Sequence, residues 1–178
     1  MRLAGASLIG FGLICATPVA AHPDGAPWGS ADPVAAENCA SCHFDNDAVH
    51  DSDLISSTGW RPLVRSGDQF EFRLLFQNRP YAFVGMQVMA SVGTFEAEQD
   101  ELEAYGAQIR SNAVVGGVGG WNMWRFVWTA PESVEEPITF HFAVNKSNND
   151  QSALGDQIHF RTLTLYPDIT TESLPPLR

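Results

Sequence analysis

The sequence is poor in cysteine. Three cysteines occur in 178 residues, and one of them, Cys15, lies in the N-terminal apolar stretch. We expect Cys15 to be discarded with that stretch, which leaves Cys39 and Cys42 as one closely spaced pair. Small secreted domains that depend on disulfides contain several such bonds, and a bond that encloses only two residues removes little conformational entropy from the unfolded chain. The sequence therefore does not favour a disulfide-stapled scaffold.

The sequence also has little positive charge. It contains 10 lysines and arginines against 21 aspartates and glutamates, which gives a formal net charge of −11. An acidic surface repels nucleic acid and anionic lipid, so we expect neither as a partner. A basic redox partner protein is compatible with this charge, although charge alone does not establish one.

No apolar run is long enough to span a bilayer comfortably. The N-terminal run covers residues 3–16, follows Arg2, and precedes small residues at 18–21. This layout is typical of a secretory signal, and the polar residues that follow carry no stop-transfer pattern. We predict cleavage after Ala21 and an exported protein, periplasmic or secreted, without a membrane anchor.

The stretch ENCASCH, residues 37–43, contains the most specific motif of the sequence. In an exported protein, Cys-x-x-Cys-His is typical of c-type haem attachment. The thiols of Cys39 and Cys42 are predicted to form thioethers with haem c, and His43 is the predicted proximal iron ligand. Two alternatives stay open, a redox or structural disulfide and a zinc site. Zinc usually needs about four ligands in two well-spaced pairs, and the sequence has no second Cys-x-x-Cys.

A distal iron ligand is harder to assign from the sequence. His50 is the first candidate, because seven residues span at most about 25 Å, enough to pass around a haem edge. His22, the predicted new N-terminus, is the weaker candidate, and it also fits a copper brace if a second histidine lies near it. His141 and His159 alternate with apolar strand residues, so both are predicted to face solvent or a loop. Three methionines are interpreted as core residues: Met86, Met89 and Met123.

From residue 61 onward, apolar residues recur with period two. The predicted inward residues are Phe70, Phe72, Leu74 and Phe76, then Trp124, Phe126 and Trp128, then Ile138, Phe140 and Phe142. Several short strands separated by turn signals predict an all-β, immunoglobulin-like antiparallel β-sandwich. The acidic segment 96–104 is interpreted as a weak turn of helix.

The predicted order of segments is a signal peptide at 1–21, a haem-attachment segment at 22–57, a β-sandwich at 58–167 and a tail at 168–178. Trp121, beside several glycines, is a candidate platform for carbohydrate. A polar group also has the oxygen atoms of a calcium site, although a polar turn is the preferred interpretation: Asn145, Asn148, Asn149, Asp150 and Asp156.

The order of several segments resembles a known family: GAPWG, NCASCH, GDQFEF, GMQVMASVGTF, WNMWRFVWTAP, HFAVNKSNND and GDQIHF. Together they resemble the reelin-type (Reeler) domain, in the bacterial choice-of-anchor form in which Cys-x-x-Cys-His precedes the sandwich. The resemblance covers residues 25–166. It implies an immunoglobulin-like sandwich and an exported location, and it implies little about activity, because fold does not fix function.

The sequence therefore predicts an exported monohaem c-type cytochrome-like protein that transfers one electron, an electron carrier or binding protein rather than a catalyst. The main alternative is a non-enzymatic extracellular adhesion or binding module whose cysteine pair is structural. A second alternative is a redox or oxygen-activating enzyme with an open iron site.

Overall fold

The computed structural model describes residues 25–78, 83–150 and 152–169. The predicted signal peptide, His22 and nearly all of the predicted tail lie outside these ranges. The elements in chain order are α1 Cys39–Cys42, β1 Ile55–Thr58, β2 Leu63–Val64, β3 Gln69–Gln77, β4 Phe83–Ala90, β5 Thr94–Ala97, β6 Leu102–Tyr105, β7 Gln108–Ser111, β8 Val115–Gly116, β9 Trp121–Thr129, β10 Ile138–Ser147 and β11 Gln157–Pro167. Among the described residues, no helix has the length and apolar composition that a membrane crossing requires.

The strands form two packed sheets. The first has the order β1-β3-β9-β5, and the second has the order β2-β11-β10-β4-β7-β6, with β8 paired to β4. Strand pairs are antiparallel, except that β2 runs parallel to β11 where Leu63 faces Tyr166. The predicted all-β, immunoglobulin-like antiparallel sandwich is confirmed, with this one parallel pair added.

The core lies between the two sheets and is aromatic. Every inward residue predicted from the period-two pattern of β3, β9 and β10 is buried. Phe72 faces Phe126 across the β3–β9 pair, with ring centroids 5.5 Å apart, and also lies 5.3 Å from Phe140 on the opposite sheet. Because each buried aromatic ring removes a large apolar area from water, this layer is the main stabilising feature of the sandwich.

Segment 96–104 does not contain a helical turn. Its first residues complete β5, and its last residues form β6, which pairs with β7 from Leu102↔Ser111 to Tyr105↔Gln108. The two-residue loop between β6 and β7 includes Gly106, whose positive φ of 56° suits a tight hairpin. The interpretation as helix was wrong because packing of Leu102 and Ile109 into the core outweighs the weak local preference of an acidic segment.

The N-terminal segment lies on the outer face of the second sheet. Ala143, Ile158 and Phe160 point outward from β10 and β11, and Cys39 and Ala40 pack against them. This second, smaller apolar cluster attaches the segment to the sandwich. Strand β1 pairs with β3, so the chain enters the first sheet at Ile55, just before the predicted boundary at residue 57.

Polar contacts also attach the start of this segment. Gln87 donates a hydrogen bond of 2.9 Å to the Pro27 carbonyl, and Arg110 donates to the Ala26 carbonyl at 2.5 Å. The Arg110 guanidinium lies 4.2 Å from the centre of the Trp28 ring, a cation–π contact. The start of the N-terminal segment is therefore held against the outer face of this sheet at β4 and β7.

Candidate haem-attachment site

The Cys-x-x-Cys-His motif forms one capped turn of helix. The Asn38 side chain accepts a hydrogen bond from the Ala40 N–H at 2.9 Å, and the Ser41 hydroxyl accepts one from the Asn38 N–H at 3.1 Å. This reciprocal capping satisfies N–H groups that a short helix otherwise leaves free. Residues three apart share one face of a helix, so the Cys39 and Cys42 side chains leave the turn on the same side.

The two thiols differ in their surroundings. Both are free, Cys42 is exposed, and Cys39 is partly buried against the outer face of the sheet. Burial raises the pKa of the Cys39 thiol to about 12, and the nearby Cys42 adds to the rise. Cys39 is therefore a neutral thiol at physiological pH in the folded chain.

His43 ends the helix and lies against a buried carboxylate. Its Nδ1 atom is 3.0 Å from Oδ2 of Asp156, whose side chain is only 2% exposed. Nδ1 is itself shielded from solvent and has no well-aligned hydrogen-bond partner among the described residues. The 3.0 Å separation is thus a close contact without hydrogen-bond alignment. With Nδ1 facing Asp156, Nε2 is the nitrogen left for a metal.

Asp156 is held in place by its own hydrogen bonds. Oδ2 accepts from the Asn145 side chain at 2.9 Å, and Oδ1 accepts from the Asn148 N–H at 3.0 Å. The Asn46 side chain donates to the Asp156 carbonyl at 2.9 Å, which links this loop to the residues after His43. Of the calcium candidates, Asp156, Asn148 and Asp150 have side-chain oxygens that accept from N–H donors, whereas Oδ1 of Asn145 is buried without a hydrogen-bond partner in the described chain. This pattern is mainly that of the polar turn that the sequence favours.

Within residues 25–78, 83–150 and 152–169, no three side chains of histidine, cysteine, aspartate or glutamate are grouped so as to hold a metal ion. Haem makes a different demand, because the porphyrin holds its iron and the protein supplies thioether sulfurs and axial nitrogen. A same-side cysteine pair, followed by a histidine with a sheltered Nδ1 beside a fixed carboxylate, meets that demand. The residues present therefore fit a c-type haem.

His50 lies on the same outer face as the motif. Its ring is exposed and stacks on Phe160, with centroids 5.6 Å apart and planes at 24°. Phe160 also belongs to the apolar cluster that supports Cys39. Hydrogen bonds of 2.8 Å from the Val49 and Ser52 N–H groups to β11 fix the backbone on both sides of His50. His50 and Cys39 therefore adjoin the same apolar cluster, because Phe160 belongs to it and contacts His50.

His159 contradicts the prediction that it faces solvent or a loop. It is 3% exposed, its Nδ1 lies 2.9 Å from the Ser52 hydroxyl, and its ring packs edge-on against Phe76 at 5.1 Å. Burial lowers its pKa to about 4, so the ring is neutral at physiological pH. The prediction failed because β11 has the opposite phase: His159 points inward with its pair partner Val144, whereas Ile158 and Phe160 take the outer face, where the N-terminal segment covers them.

The remaining candidates divide between core and surface. His141 is half-buried on the outer side of β10, with Nδ1 3.3 Å from the Thr162 hydroxyl. Met86 is buried as predicted, whereas Met123 is exposed, so its interpretation as a core residue was wrong. Trp121 is 42% exposed on the outer face of the first sheet.

Uncovered apolar side chains flank the motif. Phe44, directly after His43, is 62% exposed, and Val34 and Leu154 are also exposed. Leu154 reaches this region because the next residue, Gly155, donates its N–H to the Asp45 carboxylate at 3.1 Å. Exposed apolar side chains beside a polar rim are typical of a surface that a ligand or partner covers.

The sequence did not indicate the contact between His43 and Asp156. In the sequence, Asp156 is a calcium candidate that follows Gly155 in the segment GDQIHF. Neither its spacing nor its neighbours relate it to His43. The two residues meet because α1 docks beside the first residues of β11. Such a long-range contact has no local signal in one sequence.

Comparison with known proteins supports the fold and nothing finer. No protein-family model and no curated protein matches the chain. Among solved structures, the Reelin-N domain of F-spondin is similar with a TM-score of 0.54 at 12% identity, covering 72% of this chain and 96% of that chain. The human F-spondin reeler domain is similar with a TM-score of 0.52 at 13% identity, covering 66% and 93%. The chain thus has a reeler-like β-sandwich fold.

Proposed function

We propose that this chain is an exported monohaem c-type protein that transfers one electron, with its haem carried on the outer face of a reeler-like sandwich. One observation carries the proposal: the histidine of a Cys-x-x-Cys-His turn presents Nδ1 to a buried carboxylate and leaves Nε2 for iron. The N-terminal stretch supports export, since its layout is that of a secretory signal.

Each residue of the motif has a distinct role in this proposal. Cys39 and Cys42 tether the porphyrin on one side of the helical turn, and His43 supplies the proximal nitrogen. Bound haem iron supplies a one-electron couple whose potential depends on the axial ligands and on solvent exposure. The packing of Cys39 and Ala40 against the sheet fixes the orientation of the tethered group relative to the sandwich.

The surface around the motif favours a basic redox partner. Residues 25–57 contain six carboxylates and no lysine or arginine: Asp32, Glu37, Asp45, Asp47, Asp51 and Asp53. Arg161 lies 3.8 Å from Asp53, and among the described residues the other five carboxylates form no ion pair. Complementary charge increases the rate at which partners meet, and it weakens with salt.

Production in cells that carry a c-type maturation apparatus tests the proposal. We expect a Soret band and a mass increase of one haem that survives denaturation. The double variant Cys39→Ser/Cys42→Ser should lose the covalent haem completely, because serine cannot form the thioether. Ser66→Ala, at an exposed serine outside the motif, is the control and should keep full haem content. Colourless wild-type protein from such cells would refute the proposal.

His50 is proposed as the distal ligand. If it binds iron, His50→Ala should convert a six-coordinate spectrum into one of an open site that binds added imidazole. His141→Ala, on the neighbouring strand β10, is the control and should leave the spectrum unchanged. An identical absorption spectrum in wild type and His50→Ala removes His50 as ligand, and leaves His22, which lies outside the described residues.

A binding or adhesion module is the second candidate function. The observation that favours it is the exposed pair Trp121 and Met123 on the outer face of the first sheet, away from the motif. Exposed aromatic and apolar side chains are typical of binding surfaces. In that case the purified, matured protein is colourless, and its cysteine pair is structural.

A further inference from the structure

We propose that Asp156 is a positioning residue for His43, which fixes the imidazole tautomer and lowers the reduction potential of the haem iron. This inference rests on the proposed function, because it assigns a role to a residue outside the Cys-x-x-Cys-His motif. No sequence motif connects Asp156 to haem. The proposal follows from the contact of its carboxylate with Nδ1 of His43.

Burial and charge make this contact effective. The Asp156 side chain is 2% exposed and the His43 side chain 18% exposed, with 3.0 Å between Oδ2 and Nδ1. When Nε2 binds a metal, a neutral imidazole carries its proton on Nδ1, and that proton needs an acceptor. In the described chain Nδ1 has no hydrogen-bond partner, and the Asp156 carboxylate at 3.0 Å is the acceptor within reach of that proton.

The support of Asp156 makes it a rigid acceptor. Donors from Asn145 and Asn148 hold its two oxygens at 2.9 and 3.0 Å. The Asn46 side chain donates to its carbonyl from the residues just after the motif. These bonds tie the loop before β11 to the segment just after His43, so the position of the carboxylate is set by the tertiary structure. A ligand held in this way keeps one orientation through the redox cycle.

The direction of the effect on the potential follows from charge. Oxidation adds one positive charge at the iron. A buried carboxylate beside the proximal imidazole stabilises that charge more strongly than a carboxylate at the surface, whose field water screens. Asp156 therefore favours the ferric form. Replacing it by a neutral residue of the same shape should make the iron easier to reduce.

The test is the reduction potential of the haem-loaded variant Asp156→Asn. We expect the ferrous form to be favoured by at least tenfold relative to wild type, which corresponds to about 59 mV upward for one electron. Asp156→Glu keeps the charge and should retain a potential near that of wild type. Asp47→Asn is the matched control, because it removes one exposed carboxylate four residues after His43 and solvent screens that charge.

A second measurement covers the case in which Asp156→Asn does not fold. In the reduced wild-type haem protein, NMR should detect a ring proton on Nδ1 of His43 that exchanges slowly with solvent. Rapid exchange of that proton, or equal shifts in Asp156→Asn and Asp47→Asn, overturns the role of Asp156 and leaves the proposed function intact. Wild-type protein without covalent haem overturns both.

Discussion

Replacement of Trp128 by alanine is expected to lower the free energy of unfolding by about 3–5 kcal/mol, the usual range for removal of a buried aromatic side chain. Trp128 is fully buried at the centre of the sandwich. Its ring packs edge-on against Phe140 of the opposite sheet at 5.0 Å and stacks on Phe70 at 6.0 Å. Its indole N–H donates to the Val92 carbonyl at 3.1 Å. Alanine would leave a cavity and a carbonyl without its donor.

The matched control is Trp121→Ala on the same strand, β9. Trp121 is exposed, so its removal should change the free energy of unfolding by less than about 1 kcal/mol. Denaturant unfolding, followed by far-ultraviolet circular dichroism, measures both variants. Equal losses of unfolding free energy in the two variants would show that the alternation of β9 does not define the core.

The Trp121→Ala protein also serves to test whether this side chain binds carbohydrate.

Acid is expected to destabilise the protein through His159, by about 3 kcal/mol between pH 7 and pH 4. Burial lowers the pKa of His159 to about 4, and in the unfolded chain the ring titrates near its ordinary value of 6.5. Between these two values the unfolded state binds the proton and the folded state does not. The free energy of unfolding should therefore fall as the pH falls through this window, and the contribution of His159 should level off below about pH 4.

His159→Gln should remove this part of the pH dependence, because glutamine does not titrate and can still bond to the Ser52 hydroxyl. His141→Gln is the control, since His141 is half-buried on the outer side of the sheet. Urea unfolding at pH 7, 5.5 and 4 gives the comparison. If His159→Gln retains the same slope of stability against pH as wild type, other groups are responsible for the acid sensitivity.

The sandwich could be predicted from the sequence because a strand buried on one face has a period of two. Phe70, Phe72, Leu74 and Phe76 alternate with Glu71 and Arg73, and the structure buries the first set and exposes the second. The prediction fails where both faces are covered. In β11 His159 points inward and the N-terminal segment covers Ile158 and Phe160 on the outer face, so all three are buried and the alternation is lost.

The motif of the candidate site was visible in the sequence, but its support was not. Local spacing gave the capped turn with Cys39 and Cys42 on one side and His43 at its end. Asp156 lies at the far end of the chain, and its role depends on where α1 docks. His50 was selected on chain length alone, whereas the structure stacks it on Phe160, a residue that no local pattern connects to it.

By itself, the sequence determined the class of fold, the position of the inward aromatic residues and the identity of the Cys-x-x-Cys-His turn. These follow from short-range regularities, namely strand alternation and the fixed spacing of a motif. Only the tertiary structure decided which face of the sandwich carries that turn, which carboxylate meets Nδ1 of His43 and which histidine is buried. Those outcomes depend on packing between segments distant in the chain, because a second apolar cluster docks the N-terminal segment on the outer sheet face.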